Sequence, residues 1–197
     1  MKTWTFTFAL LALSLAKCLT PPGLNDASKW TIELASSESS PSGACRIYDE
    51  SHRLTLQGAL ISGKMDGTWT LFGSDGTRTM VWSYRQGVRN GPVQMWFGAF
   101  SYPEARGRLK LEGSFTNGEY DGTLTRYYPS GARQSVCVYV HGVLKTSQSF
   151  SPSGEEAPAA SASKQAAWEL DRDRIYLSLI EDAVARALAQ AHREVKP

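Results

Sequence analysis

The sequence has few of the side chains on which catalytic and metal sites are usually built. Only three histidines and three cysteines occur in 197 residues, and no Gly-x-Ser-x-Gly, Cys-x-x-Cys or phosphate-binding loop is present. His52, His141 and His192 do not form a group with ligand spacing, so we interpret all three as surface residues. The sequence therefore predicts no catalytic residue, no metal site and no cofactor.

An excess of charge of one sign is also missing. The chain has 21 basic and 19 acidic residues, and without Lys2 and Lys17, which belong to the N-terminal leader, 19 of each remain. A neutral chain has no electrostatic footprint for nucleic acid or for an anionic membrane surface. We therefore expect neither partner, and the aromatic content of 11% indicates a folded protein.

Long hydrophobic runs are limited to the N-terminus. Residues 3–16 follow Lys2 as an apolar run without charge, which is too short for a bilayer that requires about 20 residues. This pattern is typical of a secretory signal over residues 1–18, although a buried core helix is the alternative. We expect an exported protein that is periplasmic, associated with the outer membrane, or extracellular.

The cysteines leave two questions open. The residues before Cys18 resemble a bacterial lipoprotein signal, but Lys17 stands where a small residue is normal, so lipidation at Cys18 and a soluble form both remain open. Membrane association is expected only if Cys18 is lipidated. Cys45 and Cys137 are a candidate disulfide in an oxidising compartment. They would lie roughly 30 Å apart on an open sheet, which slightly favours free thiols.

An internal repeat occupies the middle of the chain. Residues 54–70 match residues 109–125 at an offset of 55, and a finer glycine grid has spacings of 24, 31 and 24. We interpret the 31 as a 24-residue unit with a seven-residue insertion between Gly98 and Gly107. The recurring Gly-x-x-x-Gly segments predict the turns of β-hairpins. The predicted turn glycines are Gly63, Gly67, Gly87, Gly91, Gly118, Gly122 and Gly142.

Between the turns, aromatic and β-branched residues alternate with polar ones, which is typical of strands. Equivalent positions form apolar columns, and one column contains Phe72, Trp96 and Tyr127. The predicted fold is mainly β: an elongated antiparallel sheet of tandem β-hairpins over residues 51–150 with a C-terminal amphipathic helix. Residues 19–50 are expected to form an N-terminal segment with a flexible linker at 36–43, and residues 151–163 a second linker.

The repeat resembles the MORN family in its short bacterial variant, some members of which are labelled antitoxin-like. The resemblance lies in Gly63-Lys64-x-x-Gly67-x-Trp69 and in the related segment that begins at Gly118. It covers about residues 54–145, and the middle unit departs from it with Pro92 after the second glycine. The resemblance implies a twisted antiparallel sheet that serves for attachment or protein contact.

Residues 164–197 are predicted to form the helix, because apolar residues recur at intervals of three and four. The predicted apolar face contains Trp168, Ile175, Leu179, Ala183, Val184, Ala187, Leu188 and Ala191. We favour packing of this face on the sheet or at its open end. Self-association or docking to a partner protein is an alternative, as is, less favoured, a helix on a membrane surface.

Taken together, these patterns predict an exported, non-catalytic repeat protein that acts as a protein-binding or scaffolding module in the bacterial envelope. The predicted contact residues are Phe100, Tyr102 and Tyr120, because aromatic loop residues offer large area at low entropic cost. Two alternatives remain. One is a structural subunit that assembles through the helix, and the other is an envelope hydrolase that uses carboxylates such as Glu104, Glu119 and Asp121.

Overall fold

A computed structural model describes residues 30–34, 41–99 and 101–194, without the side chains of 192–194. The predicted leader, the lipidation site at Cys18 and the contact residue Phe100 lie outside these ranges. Within them the chain forms one antiparallel sheet of eleven strands and one C-terminal helix, and the sheet is not closed into a barrel. The predicted fold class is confirmed.

The strands follow one another in space as they do in sequence, since nearly every neighbouring pair is a hairpin. Their order is β1-β2-β3-β4-β5-β6-β7-β9-β10-β11, with the two-residue β8 beside β7. The strands are β1 Thr31–Leu34, β2 Gly43–Tyr48, β3 Leu54–Ile61, β4 Lys64–Phe72, β5 Arg78–Arg85, β6 Val88–Trp96, β7 Leu109–Thr116, β8 Glu119–Tyr120, β9 Gly122–Tyr127, β10 Arg133–Val140 and β11 Val143–Ser149. The predicted insertion forms the loop between β6 and β7, with a short 3-10 helix at Pro103–Ala105.

Two-residue turns connect the strands at one end of the sheet, which we call the tight-turn end. Both residues of each turn have positive φ, as in Ser62 (50°) and Gly63 (73°), which is the backbone of a type I′ turn. The equivalent pairs are Gln86–Gly87, Asn117–Gly118 and His141–Gly142. Gly67, Gly91 and Gly122 also have positive φ, but they lie at irregularities of the strand pairing. The prediction that these three glycines form the reversal is wrong.

Each tight turn is bonded to the preceding unit. The Gly87 N–H donates to the carbonyl of Met65 (2.7 Å), and the Gln86 N–H donates to Oδ2 of Asp66 (2.7 Å). Two units later, Asp121 accepts a bond from the next turn in the same way, through the backbone N–H of His141 (3.2 Å). Asp66 and Asp121 therefore hold successive turns in line.

The repeated architecture begins earlier than predicted. The first turn donates to Pro41, through Gly63 N–H (2.9 Å), and to Ser42, through Ser62 N–H (2.9 Å). Pro41 and Ser42 precede Met65 and Asp66 by 24 residues, so they hold the same place in a preceding unit. Residues 41–48 therefore belong to the sheet, and the predicted linker at 36–43 extends at most to the start of β2.

The helix, α1 Ala159–Glu194, crosses the strands on one face of the sheet. Its 36 residues span about 54 Å, and ten strands about 4.8 Å apart span about 43 Å, so one helix can reach from edge to edge. It contacts β11 and β10 at one edge and β1 at the other. We call the covered side the inner face and the opposite side the outer face.

Alternate strand residues fill the inner face. Its fully buried side chains include Leu56, Trp69, Leu71, Met80, Trp82, Val93 and Leu111. The helix packs on them with a mainly small and aliphatic stripe, which consists of Ala162, Ala166, Leu177, Ile180, Ala183, Val184 and Ala187. Trp168 and Ile175 were predicted on this stripe, but they are 61% and 48% exposed. The reason is that Glu169 and Asp173 face the sheet instead.

The helix also begins at residue 159, within the predicted linker 151–163. Its first turns stay close to the last strand, because Oγ of Ser163 lies 3.2 Å from Oγ of Ser147 in β11. Among the described residues, no helix combines the length and the apolar composition needed to cross a membrane.

Gly58 leaves room for an aromatic ring of the inner face. A Cβ atom at Gly58 would lie 2.3 Å from Cδ2 of Trp69, far inside van der Waals contact, while the Trp69 indole N–H donates to the carbonyl of Ala59 (3.1 Å). The indole therefore lies directly over the glycine backbone. Gly113 has the same relation to Leu124 one repeat pair later, at 2.5 Å.

We expect Gly58→Ala to lower the free energy of unfolding by about 1–3 kcal/mol, because the ring of Trp69 must leave its site. Gly98→Ala is the matched control, since its added Cβ would meet only Thr79 at an ordinary 3.7 Å. Urea denaturation followed by circular dichroism measures both. Equal stability of the two variants would contradict this account of the packing.

Candidate functional site

The predicted contact residues do not form a common surface. Tyr120 is 3% exposed on the inner face, where its hydroxyl donates to Oδ2 of Asp173 in the helix (3.1 Å). Tyr102 is 42% exposed in the loop between β6 and β7 and contacts the ring of Phe97 edge to face at 5.1 Å. Tyr120 is therefore a core residue, and only Tyr102 of the two is available to a partner.

The inner face contains one buried cation that the sequence interpretation missed. Arg126 is 3% exposed and lies in β9. It holds the position that Ile47, Leu71 and Met95 hold in the preceding units, at offsets of 24, 24 and 31. The break in this apolar column was the available signal, because an arginine is rarely buried unless it is paired.

Two helix carboxylates pair with Arg126. Its Nε lies 2.7 Å from Oε2 of Glu169, and one of its terminal nitrogens contacts Oδ2 of Asp173. Both carboxylates are almost fully buried. Ser135, which replaces the apolar residues of its own column, donates to Glu169 (3.3 Å), and Gln165 donates to the other oxygen (3.0 Å). We call Arg126, Glu169, Asp173, Tyr120 and Ser135 the buried charge cluster.

The ionisation of this cluster follows from its partners. Burial on its own would lower the pKa of Arg126, but the adjacent Asp173 and Glu169 outweigh burial and raise the pKa above its ordinary value. Burial, together with Asp173, raises the pKa of Tyr120 well above the ordinary range. Arg126 is therefore permanently charged and Tyr120 remains a hydrogen-bond donor.

A second set of polar contacts fixes the helix further along. The hydroxyl of Tyr84 donates to Oε1 of Glu181 (2.6 Å), and Nε of Arg89 lies 3.3 Å from the same oxygen. Between the two sets, Arg174 pairs with Glu119 at 2.8 Å. Contacts at helix positions 169, 173, 174 and 181 define one register of the helix on the sheet, and the inner face is closed by the chain itself.

The outer face has no covering element within the described residues. Its central positions are half-buried or exposed side chains of Thr, Ser, Gln and Val, and these are Gln57, Thr68, Thr70, Val81, Ser83, Gln94, Ser114, Thr123, Thr125, Val136 and Val138. Glu112 adds one carboxylate, which accepts a bond from the Tyr127 hydroxyl (2.6 Å). This face is the surface that the fold leaves to other molecules.

Aromatic rings recur along one end of the outer face. Phe72, Trp96 and Tyr127 each end a strand, and each follows an inner-face residue. The opposing strands begin at Arg78, Leu109 and Arg133. We call this end, which carries the loops 73–77, 97–108 and 128–132, the long-loop end. The six residues form a row across the strands, and we call it the aromatic–arginine row.

The carboxylates named for a hydrolase do not converge. Glu104 lies in the loop at the long-loop end, whereas Glu119 and Asp121 lie at the tight-turn end. The eight residues of β7 separate the two ends by about 25 Å, while paired glycosidase carboxylates lie about 5–10 Å apart. Glu119 is also paired with Arg174. Within the described ranges, no three His, Cys, Asp or Glu side chains lie together as ligands for a metal ion.

Cys45 and Cys137 are free buried thiols on the inner face. They lie in β2 and β10, seven strand spacings or about 34 Å apart, and a disulfide requires Cα atoms within about 7 Å. Burial raises the pKa of the Cys45 thiol from 9.0 to about 12. For Cys137, burial and then Glu169 raise the pKa to about 11.

Removal of the buried cation alone should be costly. We expect Arg126→Met to lower the free energy of unfolding by about 3–5 kcal/mol, because Glu169 and Asp173 then remain buried without a counter-charge. Arg46→Met is the control, since Arg46 is exposed on β2. Guanidinium denaturation measures both variants. A loss below about 1 kcal/mol for Arg126→Met would show that the helix does not depend on this pair.

The two thiols should resist modification in the folded protein. At pH 8 about 0.1% of Cys137 is thiolate, and less of Cys45. We expect their labelling by a thiol reagent, measured in Cys18→Ser, to be slow and to rise about tenfold per pH unit between pH 7 and 9. Both thiols should react rapidly in guanidinium. Fast labelling of the folded protein at pH 7 would contradict their burial.

Comparisons with known proteins do not add to this geometry. No protein-family model matches the chain, and a search of curated proteins finds no match. The resemblance to MORN repeats therefore stays a prediction from the residues that carry it. Any function must be argued from the two faces of the sheet, of which one is closed by the helix and the other is accessible.

Proposed function

We propose that this chain is an exported, non-catalytic module that binds a protein partner or acts as a scaffold in the bacterial envelope. The observation that supports this most strongly is the contrast between the two faces of the sheet. Polar contacts at Arg126 and Tyr84 fix the helix on the inner face, and the outer face stays uncovered within the described residues.

The size of the outer face is adequate for a protein partner. Ten strands span about 43 Å and eight residues along a strand span about 27 Å, so the face measures on the order of 1,100 Å². A standard protein interface buries about 800 Å² on each partner. Threonine, serine and glutamine side chains in the centre supply hydrogen bonds, and the rings of Trp96 and Tyr127 at one end supply apolar area.

Assembly through the helix is a second candidate function. Trp168 and Ile175 are exposed on the solvent side of α1, two turns apart on one stripe. The guanidinium of Arg172 lies 4.9 Å from the centre of the Trp168 ring. Such a stripe is short beside the outer face, so it supports a smaller contact between subunits.

Site-specific photo-crosslinking separates the two functions. A benzophenone amino acid at Gln94 samples the middle of the outer face, and the same amino acid at Ile175 samples the helix, because both side chains are exposed. In the native envelope we expect Gln94 to form one discrete crosslinked product with a protein and Ile175 to form none.

The remaining outcomes have definite meanings. A product from Ile175 with the mass of two copies of this chain would support assembly through the helix instead. The absence of any protein product from Gln94 would contradict the proposed function. Circular dichroism of both labelled proteins controls for misfolding.

A further inference from the structure

The outer face has an uneven distribution of charge. Arg78, Arg108 and Arg133 are exposed at the long-loop end, and no carboxylate among the described residues lies within ion-pair distance of any of them. Arg106, in the same region, is paired with Asp75 at 2.9 Å. Three unpaired guanidinium groups therefore remain along one edge of a face that is otherwise almost uncharged.

These guanidinium groups are already held in place. The Cζ atom of Arg78 lies 4.1 Å from the centre of the Trp96 ring, and that of Arg133 lies 5.5 Å from the centre of the Phe150 ring. Arg108 donates through Nη1 to the carbonyl of Pro129 (3.0 Å). A cation stacked on a ring loses less side-chain freedom when it binds an anion, because its orientation is largely set beforehand.

The spacing of the row limits the shape of a ligand. Arg78 in β5 and Arg133 in β10 are four strand spacings apart, which is about 19 Å. Trp96 and Tyr127 lie between them at the same level of the sheet. A ligand that reaches both cations must be extended, must carry two anionic groups about 19 Å apart, and must present apolar surface between them.

An extended peptide with two acidic residues six positions apart meets these conditions. In a polyproline II helix, residues six apart lie on the same side and are separated by about 18.6 Å. In a β-strand they also share a side and are about 20 Å apart. The planar fork of each arginine matches a carboxylate, and proline rings pack well on aromatic side chains.

We propose that the aromatic–arginine row binds an extended, proline-containing acidic segment of a protein partner. Arg78 and Arg133 each bind one carboxylate, and the rings of Trp96 and Tyr127 contact the residues between them. This assignment rests on the proposed function and identifies the chemistry of the partner. A neutral chain with three such cations offers too few phosphate contacts for nucleic acid, whose binding depends on many of them.

The test is a fluorescence anisotropy titration of the full chain with a labelled probe peptide of one glutamate, five prolines and one glutamate. We expect saturable binding that weakens as salt is added, because the ion pairs are exposed and screened. The same peptide with two glutamines should bind at least tenfold more weakly. So should a peptide with only two prolines between the glutamates, which places the carboxylates about 9 Å apart.

Two variants with the same change in net charge locate the site. Arg78→Gln/Arg133→Gln should weaken binding of the probe peptide at least tenfold. Lys64→Gln/Arg85→Gln removes two exposed cations from the tight-turn end, about 24 Å away along β5, and should change binding by less than twofold. Thermal unfolding of both variants should stay within a few degrees of the wild type.

Several outcomes would overturn this inference. Equal weakening by both double variants would mean that the peptide responds only to net charge. No binding of the probe peptide would also reject it. Binding of an oligogalacturonate of similar length, without binding of the peptide, would identify an acidic glycan as the ligand class.

Crosslinking from Gln94 in the Arg78→Gln/Arg133→Gln background distinguishes this inference from the proposed function. If the probe peptide fails to bind and the crosslinked partner persists in this variant, the outer face binds protein but the row is not its site. If even the wild type yields no crosslinked partner, the proposed function fails. Loss of the partner in this variant, with retention in Lys64→Gln/Arg85→Gln, supports both.

Discussion

The ion pairs between Arg126 and the two helix carboxylates determine how this molecule is assembled. A single sheet has two faces and only one helix to cover them, so the position of the helix decides which face becomes the core. Arg126 lies in a column that is otherwise apolar, and Glu169 and Asp173 lie on a helix stripe that is otherwise small or aliphatic. Buried charges of this kind are costly when unpaired, so other registers of the helix are penalised more strongly than they would be by apolar packing alone.

The sheet itself depends on a more local rule that is repeated along the chain. Each tight turn donates backbone bonds to the unit before it, as Gly87 and Gln86 do to Met65 and Asp66. Since every unit is fixed by its predecessor, the strands stay in sequence order and the sheet grows in one direction, as in other repeat proteins. The same rule extends the array back to Pro41, where the sequence shows no glycine signal.

These two constraints together explain why the candidate binding surface lies on the outer face. The helix occupies the inner face, including Tyr120, an aromatic residue that an exposed loop would have made a contact residue. What remains accessible is a polar centre bounded at the long-loop end by Trp96, Tyr127 and the unpaired arginines. Function in such a protein follows from which face is left over.

The sequence by itself determined the hairpin repeat, the antiparallel sheet and the helix, because glycine spacing and strand alternation are local signals of backbone geometry. It also marked Phe72, Trp96 and Tyr127 as one column. Only the tertiary structure decided that Asp66–Gly67 is a strand irregularity, that Trp168 faces solvent and that Tyr120 is buried. Periodicity shows that a helix or strand has two sides, but the side that becomes buried depends on pairings such as Arg126 with Glu169, which are 43 residues apart in the chain.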